Sequence, residues 1–448
     1  MCFTHGVRLN LREALSLLNS SYWFVPLVVT LAGLGLAVAL LLLDGRVTPD
    51  PDGPLALLWP SSADGARALL SAIIGAMITA ISITFSVTIV ALTVAAQHFG
   101  PRVLNSFVRQ TSAQLVLGTF MATFAYSVLA LGSIRGAGPD ADVPELMVSG
   151  SVVLVILSIG ALIYYVHHVS TTLRIGELAA AIVRDYRDAL TQTADRTADA
   201  ASNVAEESPG APEHAAAVIT HESGYVQRID YAAIARAAAP RGARVWIRRE
   251  AGAFAVAGTA LALVDPPEAC DEELQRVVRR ACILGTDRTF WHDPEFAVKQ
   301  LVEIALRALS PGVNEPFTAV TCIDRLTEGL AFAAALAPPR AGWPDDQGVV
   351  RVYSQPQPFA TLLRASFDPI RIFAGSNPAI YVRLLESLAE LGFVVVREPD
   401  RELLREQADV IRRAAERALV DADDRAYVAA RFVHCVRQLE GAPASSRR

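Results

Sequence analysis

Lysine is nearly missing from this sequence, and charge of either sign is scarce in its first third. Lys299 is the only lysine among 448 residues. Residues 1–168 hold seven arginines and eight acidic residues, against 33 basic and 38 acidic residues in the remainder. Only 19% of the chain is charged, below the ~25% of an average soluble domain. These absences exclude a single soluble domain, and the net charge of −6 gives no reason to expect nucleic acid as a partner.

Cysteine is sparse, and the usual catalytic motifs are missing. The five cysteines show no Cys-x-x-Cys spacing, which argues against a disulfide framework or a zinc site. There is no Gly-x-x-x-x-Gly-Lys loop, no Gly-x-Ser-x-Gly elbow and no His-Glu-x-x-His pair. The adjacent His167 and His168 face different sides of a helix, which disfavours a metal pair. We therefore predict no enzymatic activity, no metal and no cofactor.

Four long uncharged runs occupy the first third of the chain. They lie at about residues 22–43, 69–96, 115–134 and 146–166, and each reaches the ~20 apolar residues that cross a bilayer. The sequence therefore predicts an α-helical membrane domain of four transmembrane helices over residues 1–168, with the lipid bilayer as a partner.

Arginine in the short loops predicts the orientation of these spans. Loops 44–68 and 135–145 carry more acidic residues than arginines, whereas the other flanking segments carry most of the arginines near the spans. The arginines of those other segments are Arg8, Arg12, Arg102, Arg109, Arg174, Arg184 and Arg187. By the positive-inside rule, both termini are expected in the cytosol of a bacterial cell, with the spans in its inner membrane.

The second span is unusual in length and in its hydroxyl groups. Its 28 uncharged residues would form a helix of ~42 Å, against ~30 Å of hydrocarbon. At 100° per residue, one stripe of small and polar side chains contains Gly75, Thr79, Ser82, Ser86, Thr93 and Gln97. Close helix packing and a water-lined pathway are the two interpretations. No acidic residue, lysine, arginine or histidine lies inside a predicted span, which argues against a proton relay or a charge-coupled pump.

The remaining chain is predicted to be a helical extension and linker (169–220), a cytosolic mixed α/β domain with a helix-rich C-terminal half (221–440) and a disordered tail (441–448). Strands are expected at 225–229, 245–248, 349–353 and 393–397, a hairpin at 254–264 that turns at Gly258, and helices at 231–238, 271–284, 294–309, 316–335, 377–391, 402–420 and 425–439.

Two unusual stretches lie in the charged part. Residues 288–294 read Arg-Thr-Phe-Trp-His-Asp-Pro, and residues 309–319 read Leu-Ser-Pro-Gly-Val-Asn-Glu-Pro-Phe-Thr-Ala. Together with Gln-His-Phe-Gly-Pro-Arg at 97–102 and Phe-Asp-Pro-Ile-Arg at 367–371, they make the chain resemble the bacterial predicted-membrane-protein family called domain of unknown function 2254. The resemblance covers nearly the whole chain and implies four spans and a cytosolic C-terminal domain. The chain departs from the family pattern at His292 and Glu315, where the family has Gln and Asp.

The same two stretches favour helix capping over ligand binding. Asp293 is expected to cap the helix that begins at Pro294, and Asn314 the next one. Alternatively, Arg288, His292 and Arg307 approach the start of that next helix and bind a small anion, or the segment forms a subunit contact. The ligand-binding candidates are Arg288, His292, Arg307, Ser310, Asn314, Glu315 and Thr318.

The leading hypothesis is a homo-oligomeric pore or passive transport pathway that is gated by the cytosolic domain. The alternative is a membrane-anchored regulatory or scaffolding protein whose cytosolic domain binds a ligand or partner without transport. The position of the stripe on the second span separates the two: an oligomer axis favours the first hypothesis, and burial against other spans of the same chain favours the second.

Overall fold

A computed structural model describes residues 23–44, 62–99, 111–136, 143–172, 175–198, 208–290, 293–339, 341–355 and 357–441. The chain divides into two compact units, Met1–Arg174 and Ile175–Arg448.

The first unit contains four helices that are long and apolar enough to cross a bilayer. They are α1 (Phe24–Asp44), α2 (Ala63–Phe99), α3 (Thr111–Ser133) and α4 (Glu145–Thr172). The four predicted apolar helices are therefore confirmed. Helix α3 lies at the centre of this unit, because it packs against each of the other three.

Small residues and hydroxyl groups bring these helices together. A Cβ atom added at Gly33 of α1 would lie 2.8 Å from Cβ of Ala122 on α3, so the two helices pack backbone against backbone. The hydroxyls of Thr123 on α3 and Ser158 on α4 lie 2.9 Å apart. Such contacts are the usual means by which apolar helices associate in lipid, where burial of apolar surface supplies little driving force.

The second unit is a mixed α/β region followed by a helical half. Its helices are α5 (Ile175–Ala198), α6 (Tyr231–Ala238), α7 (Glu272–Ala281), α8 (Pro294–Ala308), α9 (Pro316–Ala335), α10 (Phe359–Phe373), α11 (Pro378–Gly392), α12 (Glu398–Ala418) and α13 (Ala422–Gly441). Its strands are β1 (Ala216–Ile219), β2 (Gly224–Ile229), β3 (Arg244–Ile247), β4 (Phe254–Ala255), β5 (Ala260–Asp265), β6 (Cys282–Gly285), β7 (Gly342–Pro344) and β8 (Val350–Tyr353).

The strands form two sheets that share one apolar core. The larger sheet has the order β1-β5-β3-β8-β7, with β3 and β8 parallel and the other pairs antiparallel. The smaller antiparallel sheet has the order β4-β2-β6. Val245, Leu261 and Ile234, from β3, β5 and α6, are almost completely buried in the shared core. Helices α8 to α13 pack mainly against one another.

The glycine turn at Gly258 exists, but it does not close the predicted hairpin. Gly258 has φ of 87°, a backbone conformation that favours glycine. However, β4 pairs with β2, whereas β5 pairs with β1 and β3. The hairpin predicted at 254–264 is therefore wrong, because the chain crosses from one sheet to the other at this turn.

Two further predictions about this unit are wrong. The helix predicted at 271–284 ends at Ala281, and Cys282–Gly285 forms β6 because it pairs with β2. The strand predicted at 393–397 is a turn, in which the N–H groups of Val394 and Val395 both donate to the carbonyl of Leu391, at 3.0 and 2.9 Å.

Candidate functional site

The stripe predicted on α2 lies on the outer surface of the first unit. Its exposed members are Gly75, Thr79, Ser82, Ser86 and Thr93. A Cβ atom added at Gly75 would meet nothing within 4 Å, so none of the helices that the structure describes approaches there. The side chain of Gln97 lies outside the described residues. The structure thus keeps five of the six candidates on one face, which none of the described residues of the chain covers.

The opposite side of α2 makes the contacts within the unit. Its buried residues recur every seven positions and include Leu70, Met77, Thr84 and Ala91. The hydroxyl of Tyr165 on α4 lies 2.5 Å from Oγ1 of Thr88 and donates to the carbonyl of Thr84 at 3.2 Å. The packing of α2 within the chain therefore uses a face about 180° away from the stripe.

Most hydroxyls of the stripe are satisfied by their own helix. Thr79, Ser82 and Thr93 donate to the carbonyls four residues earlier, at 3.0, 2.9 and 2.8 Å. Ser86 makes no hydrogen bond within the described part of the chain. A hydroxyl bonded to its own helix tolerates an apolar neighbour, and its oxygen still accepts a hydrogen bond from water or another chain. The stripe is therefore compatible with helix packing and with water.

Arg288 lies at the start of α8 and is engaged there by two carboxylates. Its Nε donates to Oδ2 of Asp293 at 2.7 Å, and its Nη2 lies 3.3 Å from Oε2 of Glu295. Lys299 pairs with Glu295 at 2.9 Å. Burial raises the pKa of Asp293, while the nearby charge of Arg288 opposes that shift. Asp293 is 1% exposed, and its Oδ1 has no hydrogen-bond partner among the described residues.

Neither side chain predicted to cap a helix does so. Asp293 precedes Pro294 at the start of α8, but its carboxylate binds Arg288 instead of the backbone. The residue before α9 is Glu315 rather than Asn314, and its side chain makes no capping hydrogen bond either. Asn314 adopts φ of 50°, in the left-handed region that asparagine tolerates better than most residues. The chain needs that conformation to turn sharply between α8 and α9.

The other candidates near this break are bonded locally. Ser310 donates its hydroxyl to the carbonyl of Arg307 at 2.6 Å, and Thr318 donates to Oε2 of Glu315 at 3.2 Å. Asn314 and Glu315 are exposed. His292 lies outside the described residues. The structure thus separates the predicted set: Arg288 lies at the start of α8, Ser310, Asn314 and Glu315 lie in the turn before α9, and Thr318 lies in the first turn of α9.

A polar cluster that sequence reasoning missed lies where the parallel strands β3 and β8 end. Oε2 of Glu250 accepts from the hydroxyl of Tyr231 at 2.8 Å, and Oε1 accepts from the N–H of Gln355 at 2.7 Å. Tyr231 stacks on Trp343 with ring centroids 4.4 Å apart. Burial raises the pKa of Glu250, and the two hydrogen bonds oppose that rise. No sequence motif predicts this cluster, because its members are distant in sequence and come into contact only in the folded unit.

The chain is similar to known proteins over almost its whole length. The model of a family described as predicted membrane protein (DUF2254) matches residues 19–390. An uncharacterised protein of Mycobacterium bovis and one of Mycobacterium tuberculosis are each 31% identical to the chain over 431 residues, which cover 94% of this chain and 81% of the relative. No solved structure matches the chain.

Proposed function

We propose that this chain, which belongs to the DUF2254 family of predicted membrane proteins, acts in a bacterial inner membrane as a homo-oligomeric pore or passive transport pathway. In this proposal the stripe on α2 lines the passage, and the second unit gates it. The observation that carries the proposal is the exposure of Thr79, Ser82 and Ser86 on a helix whose opposite face is buried in its own chain.

The composition of the stripe distinguishes it from other exposed faces of the first unit. The most exposed bulky residues of α1 and α4 include Leu42, Leu157 and Ile163, at 70%, 57% and 68% exposure. Such side chains suit contact with lipid tails. A face of glycine, serine and threonine gains less from lipid and instead permits close approach of another chain or contact with water. In an oligomer, copies of α2 could approach each other closely along this face, and a hydrated axis between the copies would bring the face into contact with water.

The chemistry of α2 favours a passive route over a coupled one. No acidic or basic side chain lies between Leu69 and Val94, the described stretch that contains the stripe. Pumps and proton relays place ionisable groups in the membrane, whereas a hydroxyl-lined passage holds no proton and fixes no counter-ion. The proposal therefore includes no catalytic step and no coupling ion.

The orientation of the spans is part of the proposal and is supported by the arginine distribution. Single cysteines at Asp52 and Pro139 are expected to react, in intact cells, with a thiol reagent that does not cross membranes. A cysteine at Asp188, which is exposed on α5, is expected to react only after the cells are opened. Reaction at position 188 in intact cells would reverse the orientation and place the second unit outside.

Cross-linking between copies of α2 tests the proposed function directly. With the native cysteines removed, Ser86→Cys is expected to form disulfide-linked dimers in native membranes, because the stripe faces another copy. Leu157→Cys on α4 is the matched control, since this position is exposed but belongs to a face of bulky apolar side chains such as Ile156 and Ile163. Disulfide cross-linking at position 157 but not at 86, or at neither position, would contradict the proposed oligomeric passage.

The regulatory alternative is favoured by one specific observation in the second unit. Oδ1 of Asp293 and Nε of Arg249 are buried without a hydrogen-bond partner among the described residues. Buried, unpaired polar atoms are costly, and a bound ligand would relieve that cost. If Ser86→Cys fails to cross-link, and a small polar ligand raises the melting temperature of the wild type but not of Arg249→Met, the anchored ligand-binding role replaces the passage.

A further inference from the structure

Helix α5, the first element of the second unit, is docked on two later helices. It packs against α8 and α9. Its buried residues lie on one face and comprise Ala179, Ile182, Val183, Tyr186, Ala189 and Leu190. The opposite face of α5 is polar. Because α8 and α9 cover the apolar face, moving α5 away from them would expose that apolar face to water.

One side chain fixes the position of α5 on α9. The ring of Tyr186 lies against Gly329, where an added Cβ atom would come within 2.3 Å of two ring carbons. Arg187 lies over the ring of Phe332 at 4.7 Å from its centroid, and 3.9 Å from Oε1 of Glu328. Only glycine at position 329 leaves room for the ring, so the docked position depends on this pairing.

The docked position also costs free energy, because it buries a hydroxyl group without a hydrogen bond to any described residue. Tyr186 is 1% exposed, and its hydroxyl has no hydrogen-bond partner among the described residues. Burial raises the pKa of this phenol, so the group stays neutral and still needs a hydrogen bond. Phenylalanine would fill the same slot without that need. The buried hydroxyl therefore weakens the docking of α5 on α9, whereas the ring strengthens it. If α5 moved away, water would form hydrogen bonds with the hydroxyl.

We propose that α5 is a two-position coupling element, docked when Tyr186 occupies the slot at Gly329 and released when its hydroxyl reaches water. Only residues 173 and 174 separate the end of α4 at Thr172 from the start of α5 at Ile175. So short a connection spans ~11 Å at most, so a displacement of α5 beyond that reach must also move α4. The two-position behaviour of α5 stands on the contacts above, whereas its role in gating rests on the proposed passage.

Amide hydrogen exchange of the full chain in lipid nanodiscs tests the two positions. Tyr186→Phe removes the unpaired hydroxyl and keeps the ring, so exchange in α5 is expected to slow about tenfold. Tyr427→Phe is the matched control, because Tyr427 is half exposed, and it should leave exchange unchanged. Gly329→Ala is expected to accelerate exchange in α5 at least tenfold by expelling the ring, while Gly312→Ala, which adds a methyl group in open space, should not.

Unchanged or faster exchange of α5 in Tyr186→Phe would overturn the proposal, since the hydroxyl would then not oppose the docking of α5. This variant retains the packing of the wild type, so the test remains valid if Gly329→Ala fails to fold. Flux is measured for the same variants in sealed proteoliposomes. Slower exchange with lower flux supports both the coupling element and the gate, whereas slower exchange with unchanged flux keeps the two positions and removes their role in gating.

Discussion

Replacing Gly252 by alanine is expected to lower the free energy of unfolding of the second unit by about 3 kcal/mol or more. Gly252 has φ of 86°, which alone disfavours a side chain. A Cβ atom there would lie 2.1 Å from Oδ2 of Asp293 and 2.9 Å from Nη2 of Arg288. Because Asp293 is buried and held by Arg288, the carboxylate cannot swing aside without breaking the ion pair.

Gly258→Ala is the matched control for this loss. Gly258 has nearly the same φ, 87°, but an added Cβ atom would meet nothing within 4 Å. Its expected cost is the backbone strain alone, about 1–2 kcal/mol. Chemical denaturation of the full chain, followed by the fluorescence of Trp246 and Trp343 in the second unit, measures both variants. Equal losses in the two variants would show that the contact with Asp293 contributes nothing.

Ser82→Asp is expected to fold, insert and change the ion preference of the passage. Ser82 is exposed on the stripe and would face water in the proposed passage. An acidic ring at that depth attracts cations, so the reversal potential under a salt gradient should shift toward cation selectivity. In a dry environment the same carboxylate would cost ~2.5–3.5 kcal/mol.

Ser158→Asp supplies the comparison for that variant. Ser158 is 1% exposed, between α3 and α4 of the same chain, and its hydroxyl lies against Thr123. An acid there has no route to water and should reduce the yield of inserted protein sharply. If Ser82→Asp is lost from the membrane to the same degree as Ser158→Asp, position 82 is dry and the stripe lines no passage.

Local signals were sufficient for much of the fold. The apolar runs predicted α1 to α4 because length and hydropathy act within one helix. Pro294 and Pro316 marked the starts of α8 and α9, since proline suits the first turn of a helix and disrupts later ones. The same rule concealed α10, which contains Pro369 in its interior and was not predicted.

The remainder depended on contacts between distant segments. Cys282–Gly285 completes a helical pattern in the sequence but forms a strand because β2 lies beside it. Asp293 was predicted to cap a helix, yet it binds Arg288 and packs against Gly252. The periodicity of α2 predicted which side chains share the stripe. That periodicity did not reveal which side would be covered, because the answer depends on where α3 and Tyr165 of α4 pack.

Electrical recording from the purified full chain in planar bilayers tests the central claim that the stripe on α2 lines a passage. We expect a current through the wild type that Ser86→Leu abolishes, because leucine fills the hydroxyl-lined space. We also expect this variant to insert and assemble like the wild type, because leucine suits the membrane. A wild-type assembly that carries no current, or an undiminished current in an assembled Ser86→Leu variant, would contradict the account.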